Sequence, residues 1–397
     1  MAYEIRVLTA DDSPAAFRLG SLAFGYHGSP MPEGFAPTAD GRTSWGVFEG
    51  GTLIAKAVDR VQGQWFGGRI VPASGVAGVA VIPEARNGGL ARIVLTKLLE
   101  EARERGAAIS TLFPSTPFPY RALGWEEVGA LTYYSIPTAA LAAGRDSRDS
   151  TADTTLRPAV KDDIPVMEEL YREAARASTG MMERTGPLFP AIDWVEDFDG
   201  VSVAVGPDGQ VSGYASWERG KGSDHDSAIT VYDVIGRDAA ATNALRKMIA
   251  GWASVAPRTI LRVTAPDPFL YGVATSSMSI DRRQPWMLRL VDAAAAIAAR
   301  GWSAYQSGAV DLELADPVCA GNAGRYRLVI DGGDARLEPG GTGQVAFTPR
   351  GLALWYAGAA TPAVLRRAGL MTGGDARTDA FLLAATAGPA PALHDYF

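Results

Sequence analysis

The chain has 397 residues, 47% of them hydrophobic and 20% charged, which is typical of a globular protein long enough for two or three domains. Its 44 acidic and 37 basic residues give a formal charge of −7, which argues against nucleic-acid binding and favours cationic ligands. One cysteine and three histidines argue against a disulfide framework and a metal site. No apolar leader or membrane-spanning stretch is visible, so we expect a soluble cytoplasmic protein without a membrane partner.

The first part of the chain alternates strand-like and helix-like patterns. Gly50-Gly51 between two β-branched runs is typical of a hairpin turn, and apolar residues recur at helical spacing from residue 90 to 105. In chain order the predicted elements are a strand at 4–8, a helix at 14–23, strands at 44–49 and 52–60, a strand pair within 69–81, a helix at 90–105, a strand at 107–113, a helical turn at 120–123 and a strand at 131–136.

The segment 79–92, Val-Ala-Val-Ile-Pro-Glu-Ala-Arg-Asn-Gly-Gly-Leu-Ala-Arg, predicts a strand, a tight loop and an immediate helix start. Such a turn presents free backbone N–H groups at a helix N-terminus, a suitable site for a pyrophosphate. Gly88 and Gly89 allow close approach of the backbone to phosphates, and Arg86 and Arg92 add positive charge. The alternative is an ordinary glycine-rich turn with exposed arginines.

The opening pattern of the chain returns later. Residues 5–14, Ile-Arg-Val-Leu-Thr-Ala-Asp-Asp-Ser-Pro, are echoed by residues 156–165 at an offset of 151 positions. Although Asp-Asp-x-Pro is also a good helix start by itself, we interpret the echo as an internal duplication. In the second copy a strand at 231–235 and a helix at 239–253 flank Gly-Arg-Asp at 236–238, without a glycine run. We therefore predict that this copy has lost the cofactor site.

Composition changes mark the domain boundaries. A small, polar and charged segment separates the two copies, and the strand and helix pattern changes again near residue 286. The third part is predicted to contain a helix at 287–300, strands at 308–314, 325–330, 335–338 and 343–347, and helices at 348–356 and 362–368. The predicted units are residues 1–137, a linker at 138–155, residues 156–285 and an α+β domain at 286–397.

Residues 86–91, Arg-Asn-Gly-Gly-Leu-Ala, fit the R-x-x-G-x-A pyrophosphate signature of acyl-CoA N-acyltransferases of the GNAT superfamily, which the first domain resembles. Residues 119–125, Pro-Tyr-Arg-Ala-Leu-Gly-Trp, resemble the superfamily's aromatic segment after the fifth strand. The resemblance implies that Tyr120 lies beside the thioester sulfur, where a hydroxyl with an ordinary pKa of about 10 protonates the departing thiolate. The alternative is a packing tyrosine on a short helix.

The same resemblance implies acetyl-CoA as co-substrate and indicates the residues that bind it. These are Val79, Ala80, Val81, Arg86, Asn87, Gly88, Gly89, Leu90, Ala91 and Arg92. It also suggests Ser115 and Thr116 near the pantetheine or acetyl end, although Ser-Thr-Pro is a plain turn sequence as well. Phe24, Tyr26 and His27 follow the first helix, where GNAT acceptor pockets are built, and packing or a solvated loop explains them equally well.

In architecture the whole chain resembles the Eis (enhanced intracellular survival) family, with a mixed α/β (α+β) fold: a catalytic GNAT domain, a degenerate second one and a domain like sterol carrier protein. The resemblance implies acetylation of aminoglycoside-like polyamines by direct transfer, a role in antibiotic resistance and a homohexamer. It also implies that the C-terminal carboxylate, here on Phe397, is the general base. Such a carboxylate has an ordinary pKa of about 3.5, which burial raises.

The residues themselves leave other interpretations open. The aromatic ending Tyr396-Phe397 indicates a docked tail rather than a fraying one, but it is also compatible with simple docking on the third domain. A protein-lysine acetyltransferase is an alternative to a small-amine enzyme. A non-catalytic protein that binds an apolar ligand in its third domain, with acetyl-CoA as a regulator, is an alternative of another class.

Overall fold

The computed structural model describes residues 3–26, 28–142, 154–189, 195–264 and 267–397. His27 and residues 143–153 of the predicted linker lie outside the described residues. The first third of the chain forms β1 (Glu4–Val7), α1 (Ser13–Phe24), β2 (Arg42–Glu49), β3 (Thr52–Phe66), β4 (Arg69–Val81), α2 (Leu90–Glu104), β5 (Ile109–Leu112), α3 (Phe118–Arg121) and β6 (Glu126–Pro137). All the elements predicted for this part are present except the strand pair within 69–81. That prediction is wrong, because β4 is one continuous strand.

The second copy repeats the first in detail. Its elements are β7 (Thr155–Pro158), α4 (Ile164–Arg176), β8 (Gly200–Val205), β9 (Val211–Arg219), β10 (Ala228–Gly236), α5 (Ala239–Ala250), β11 (Arg258–Arg262) and β12 (Ser279–Leu290). Arg6 forms a two-bond ion pair with Asp12 at 2.7 and 2.9 Å, and Arg157 forms the same pair with Asp163 at 2.6 and 2.9 Å. Each pair joins an arginine on a strand to an aspartate just before the following helix. The repeated residues therefore also share a structural role.

The third part contains α6 (Ala293–Ala299), β13 (Gly308–Leu314), β14 (Gly324–Asp331), β15 (Asp334–Pro339), β16 (Val345–Phe347), α7 (Pro349–Tyr356), α8 (Pro362–Arg367), β17 (Met371–Gly373), α9 (Ala376–Ala385) and β18 (Ala392–Leu393). The helix predicted at 287–300 begins later than expected. The strand β12 extends to Leu290, and α6 starts at Ala293. A short apolar run does not distinguish strand from helix, and pairing with the neighbouring strands decides the outcome here.

The two copies share one sheet. Its strand order is β1-β2-β3-β4-β5-β12-β6-β11-β10-β9-β8-β7, with β18 beside β6. The strand β12 lies antiparallel between β5 and β6, and β6 in turn pairs with β11, so the two copies exchange their last strands. The predicted boundary at residues 285/286 falls inside β12. This exchange places β12 of the second copy directly beside β5 of the first copy.

A second sheet, with the order β15-β14-β13-β16-β17, belongs to the third part of the chain. Its core is continuous with that of the large sheet, since Trp286 and Leu288 of β12 belong to the same buried cluster as Leu312, Trp355 and Phe397. The third domain is therefore packed against the large sheet. None of the described helices combines the length and the apolar character needed to cross a bilayer.

Candidate active site

The predicted phosphate loop joins β4 to α2. Asn87 and Gly89 both adopt the left-handed backbone region, with φ of 66° and 78°, which turns the chain directly into the helix. Within the described ranges, none of the N–H groups of residues 87–92 donates a hydrogen bond to a protein acceptor. Such a set of free N–H groups at the N-terminus of a long helix fits a diphosphate.

A cleft of about 700 Å³ runs from this loop along β4 toward α3. All the residues predicted to bind acetyl-CoA line this cleft except Gly88, which lies in the loop between two lining residues. The side chains of Leu90, Leu95 and Leu123 add an apolar wall. The free N–H groups, two arginines and an apolar groove fit a phosphorylated co-substrate with a long uncharged arm.

The second copy differs at the corresponding turn. The side chain of Asp238 caps α5 by accepting a hydrogen bond from the N–H of Ala241 at 2.8 Å, and Arg237 donates its N–H to the Ser212 carbonyl at 2.8 Å. The N–H of Ala241 is thus already satisfied by a side chain, and a carboxylate lies at the helix start where a phosphate would bind. The structure thus gives a physical reason why no cofactor site is expected there.

This comparison yields a prediction for the loop. Gly89→Asp places a carboxylate at the start of α2, as Asp238 does at the start of α5. We expect this change to weaken acetyl-CoA binding by about 10- to 100-fold, because the phosphates lose one or two hydrogen bonds to the loop. Isothermal titration measures the change. Gly209→Asp is a matched control, because Gly209 has the same φ of 78° and open space around it in a remote turn. Equal affinities in the two variants would contradict the assigned binding site.

Tyr120 lies where the cleft meets a second cavity of about 310 Å³. The short helix α3 carries it, and its ring packs edge-on against Trp125 with a centroid distance of 6.2 Å. Its side chain lines both spaces although the residue is only 9% exposed. Burial raises the pKa of Tyr120, so the hydroxyl keeps its proton throughout the neutral range.

The second cavity combines residues from distant parts of the chain. Its walls come from β4, the segment after β5, the strand β12 and the C-terminal tail, with Phe24 and Ser115 shared with the cleft. Of the predicted acceptor residues, Phe24 lines the cavity, whereas Tyr26 stacks on Phe24 at 6.4 Å and is largely exposed. Sequence reasoning missed Arg283, Gln284 and Pro285, because only the exchange of β12 brings them here.

The C-terminal tail reaches the same cavity. Ala392 and Leu393 run parallel to β6, and Tyr396 and Phe397 both pack on Phe113, with centroid distances of 4.8 and 5.1 Å. Phe397, the last residue of the sequence, is buried and lines the cavity together with Tyr120. The ordered tail agrees with its apolar sequence.

The second copy anchors this tail through a buried ionic cluster. His394 contacts the Asp233 carboxylate at 2.8 Å, and Asp395 accepts hydrogen bonds from Arg184 at 2.7 Å and from the Tyr171 hydroxyl at 2.8 Å. Arg184 also pairs with Asp233 at 2.6 Å. Burial would raise the pKa of Asp233, but Arg184 and His394 outweigh it and hold that pKa well below its usual range.

Asp233 follows an irregularity in the pairing of β10 with β9. The first copy has a corresponding irregularity in the pairing of β4 with β3, next to Gly78 and Val79, which line the second cavity. In the second copy the tail thus occupies the place that corresponds to this cavity. The signal in the sequence was an acidic residue in the otherwise apolar strand 231–235, which sequence reasoning did not use.

Arg184→Met removes one of two arginines that pair with the buried carboxylates of Asp233 and Asp395, and it leaves Arg262 at 3.2 and 3.9 Å from them. We expect about 3–5 kcal/mol of destabilisation, because one arginine then compensates two buried carboxylates. Hydrogen exchange should show lost amide protection at residues 392–397. Arg237→Met is the control, since its pair with Glu173 is solvent-exposed and worth at most about 1 kcal/mol. Unchanged protection in Arg184→Met would contradict the anchoring role.

Comparisons with known proteins agree with this geometry. An acetyltransferase (GNAT) domain matches residues 4–128, a second one matches residues 180–290, and a sterol carrier protein domain matches residues 293–393. An uncharacterized N-acetyltransferase of Streptomyces avermitilis is 26% identical, with 93% of each chain covered. The GCN5-related N-acetyltransferase from Kribbella flavida is 29% identical, with a TM-score of 0.84 over 100% of this chain and 98% of that one.

A further structure, Eis1 from Mycobacterium abscessus, has the same fold over the full length of both chains, with a TM-score of 0.77 and 22% identity. The fold and the cleft therefore define an acetyl-CoA-dependent N-acetyltransferase of the GNAT class. The chain belongs to the GNAT superfamily, with two acetyltransferase (GNAT) domains and a sterol carrier protein domain, and its fold is similar to that of Eis1.

Proposed function

We propose that this enzyme acetylates a primary amine by direct transfer in a ternary complex, with Tyr120 as general acid and the Phe397 carboxylate as general base. The observation that carries the proposal is that Tyr120 and Phe397 line one cavity, and that Tyr120 also lines the adjoining phosphate-loop cleft. The co-substrate supplies an activated acetyl group when it is bound. The described residues then supply binding, orientation and proton transfer.

In this mechanism the Phe397 carboxylate, directly or through one water, accepts a proton from the acceptor amine. The amine nitrogen forms the bond to the acetyl carbon as the carbon–sulfur bond breaks. Tyr120 donates its proton to the departing sulfur, and solvent restores it afterwards. Burial favours both steps, because it keeps Tyr120 protonated and removes water that would stabilise the carboxylate.

The identity of the acceptor stays a prediction. The family resemblance suggests aminoglycoside-like polyamines, a homohexamer and a role in antibiotic resistance, and a protein lysine is the alternative acceptor. The non-catalytic alternative has weaker support. The third domain's cavity of about 590 Å³ is lined by Ser307, Gln344, Asp375, Arg377 and Thr378, and such a polar lining does not favour an apolar ligand.

Thiol release tests the proposed function. We expect coenzyme A to appear with acetyl-CoA and a suitable amine, but not with acetyl-CoA alone. Initial rates should give intersecting lines, as a ternary complex requires, rather than the parallel lines of a covalent acyl-enzyme. The buried Cys319 lies outside both cavities, which agrees with direct transfer. No thiol release with any amine in a broad panel would exclude the proposed activity.

A further inference from the structure

Three cations lie on one face of the strands β2 and β3 without acidic partners. Arg42 is directly opposite Arg60, and Lys56 lies four residues before Arg60 on the same face of β3. Like charges in opposite positions destabilise a sheet. In the part of the chain that the structure describes, no carboxylate forms an ion pair with any of the three, and Arg42 instead donates to the Ala36 carbonyl at 2.6 Å.

The burial of these cations makes the arrangement costly. Lys56 is only 8% exposed. The Nε atoms of Arg42 and Arg60 are buried and have no hydrogen-bond partner. Burial, and secondly the charge of Arg42, lowers the pKa of Lys56 and that of Arg60. Buried charges are normally paired, so this cluster, Arg42–Lys56–Arg60, lacks an anion.

The cluster borders the second cavity, in which we propose that the acceptor binds. The Lys56 Nζ lies 3.8 Å from the position that a Cβ of Gly78 would take, and Gly78 lines the cavity. Arg60 pairs with Gly75, next to the lining residue Val76. A fourth cation, Arg283, lines the cavity itself, and the rest of the described lining is apolar, aromatic or uncharged, apart from the terminal carboxylate. A polycation would therefore meet like charge there.

We infer that the acceptor carries an anionic group, a carboxylate or a phosphate, near its amine, and that the cluster Arg42–Lys56–Arg60 binds this group. The inference rests on the proposed function and narrows its acceptor class to amino acid-like or phosphorylated amines, in place of polycationic aminoglycosides. Guanidinium groups bind carboxylates and phosphates through paired hydrogen bonds, which also orients the amine. The aromatic walls provide contacts for an apolar part of the same molecule.

Matched amines test this inference. Thiol release is measured with phenylalanine and phenylethylamine, with phosphoethanolamine and ethanolamine, and with kanamycin as a polycation. We expect kcat/KM to be at least about 10-fold higher for an amine that carries a carboxylate or phosphate than for its partner without that group, because one charge-assisted hydrogen bond contributes about this much. The two pairs distinguish a carboxylate from a phosphate.

Lys56→Met and Arg60→Met should lower kcat/KM for the anionic amine by about 10- to 100-fold, mainly through KM, and leave the matched amine unaffected. Neither variant should unfold, because each replaces an unpaired half-buried or buried cation by an apolar group of similar length. Arg18→Met, an exposed change on α1, is the control. Melting temperatures provide a second readout, since the anionic amine should stabilise the wild-type enzyme more than the cluster variants.

The outcomes separate the two claims. Preference for kanamycin or for an amine without an anionic group, with no effect of Lys56→Met or Arg60→Met, would overturn the inference and leave the proposed function standing. Thermal stabilisation by an anionic amine without thiol release would overturn the proposed function and retain the anion site. Absence of both effects would overturn both.

Discussion

Replacing Tyr120 by phenylalanine is expected to lower kcat by about 10²- to 10⁴-fold, the usual contribution of a general acid, with acetyl-CoA affinity nearly unchanged. The variant keeps the ring that packs on Trp125 and removes only the hydroxyl at the junction of the two cavities. Because burial raises the pKa of Tyr120, the wild-type rate should show no loss from its deprotonation below about pH 10.

Stopped-flow thiol release and titration calorimetry separate the two effects of Tyr120→Phe. Tyr396→Phe is the matched control, because it removes a hydroxyl from the same cavity while the ring remains stacked on Phe113. We expect it to keep most of the activity. Parallel losses of kcat and acetyl-CoA affinity in Tyr120→Phe would show that the residue only shapes the cleft.

Adding two glycines after Phe397 is expected to reduce kcat by about 10²- to 10⁴-fold, because the terminal carboxylate, the proposed general base, is then no longer on the residue that lines the cavity with Tyr120. The tail should stay docked, since His394 and Asp395 keep their contacts with Asp233 and Arg184. The thiol assay measures the rate, and hydrogen exchange at residues 392–395 measures docking.

Phe397→Leu is the control for this extension, because it retains the carboxylate and an apolar side chain against Phe113. Its activity should stay close to that of the wild-type enzyme. If the extended chain works normally, the base is another group, and the tail has only a structural role in closing the cavity.

Local sequence signals predicted most of the fold. The loop at 86–92, the hairpin at Gly50-Gly51 and the echo of residues 5–14 each rest on short-range chemistry, namely left-handed turns, helix caps and a repeated Arg–Asp pair. The exchange of β6 and β12 was not predictable in this way. The exchange depends on which distant strand pairs better with β5 and with β11. In addition, the mostly apolar residues 286–290 fit a helix or a strand equally well.

The acetyl-CoA side of the site was predictable for the same reason, since one segment supplies most of it. The second cavity was not predictable, because it combines residues of β4, β12 and the tail. Two polar residues in apolar strands, Lys56 and Asp233, were the available signals. Each is buried, although charged side chains are normally excluded from the interior of a sheet. Lys56 lies near Gly78 of the second cavity, and Asp233 contacts His394 of the tail.

The duplicated domain also explains how the C-terminal tail is held beside the second cavity. A free tail loses conformational entropy on docking, and the buried contacts of His394 and Asp395 with the second copy offset that cost. The second copy therefore acts as a support for the first.

Product analysis tests direct transfer of the acetyl group to the amine. The enzyme is incubated with acetyl-labelled acetyl-CoA and the preferred amine, and the label is located by mass spectrometry. We expect one acetyl group on the amine nitrogen of the acceptor for each coenzyme A released, and none on the protein. Label retained on Cys319 or another side chain, or thiol release without acetylated amine, would contradict direct N-acetyl transfer.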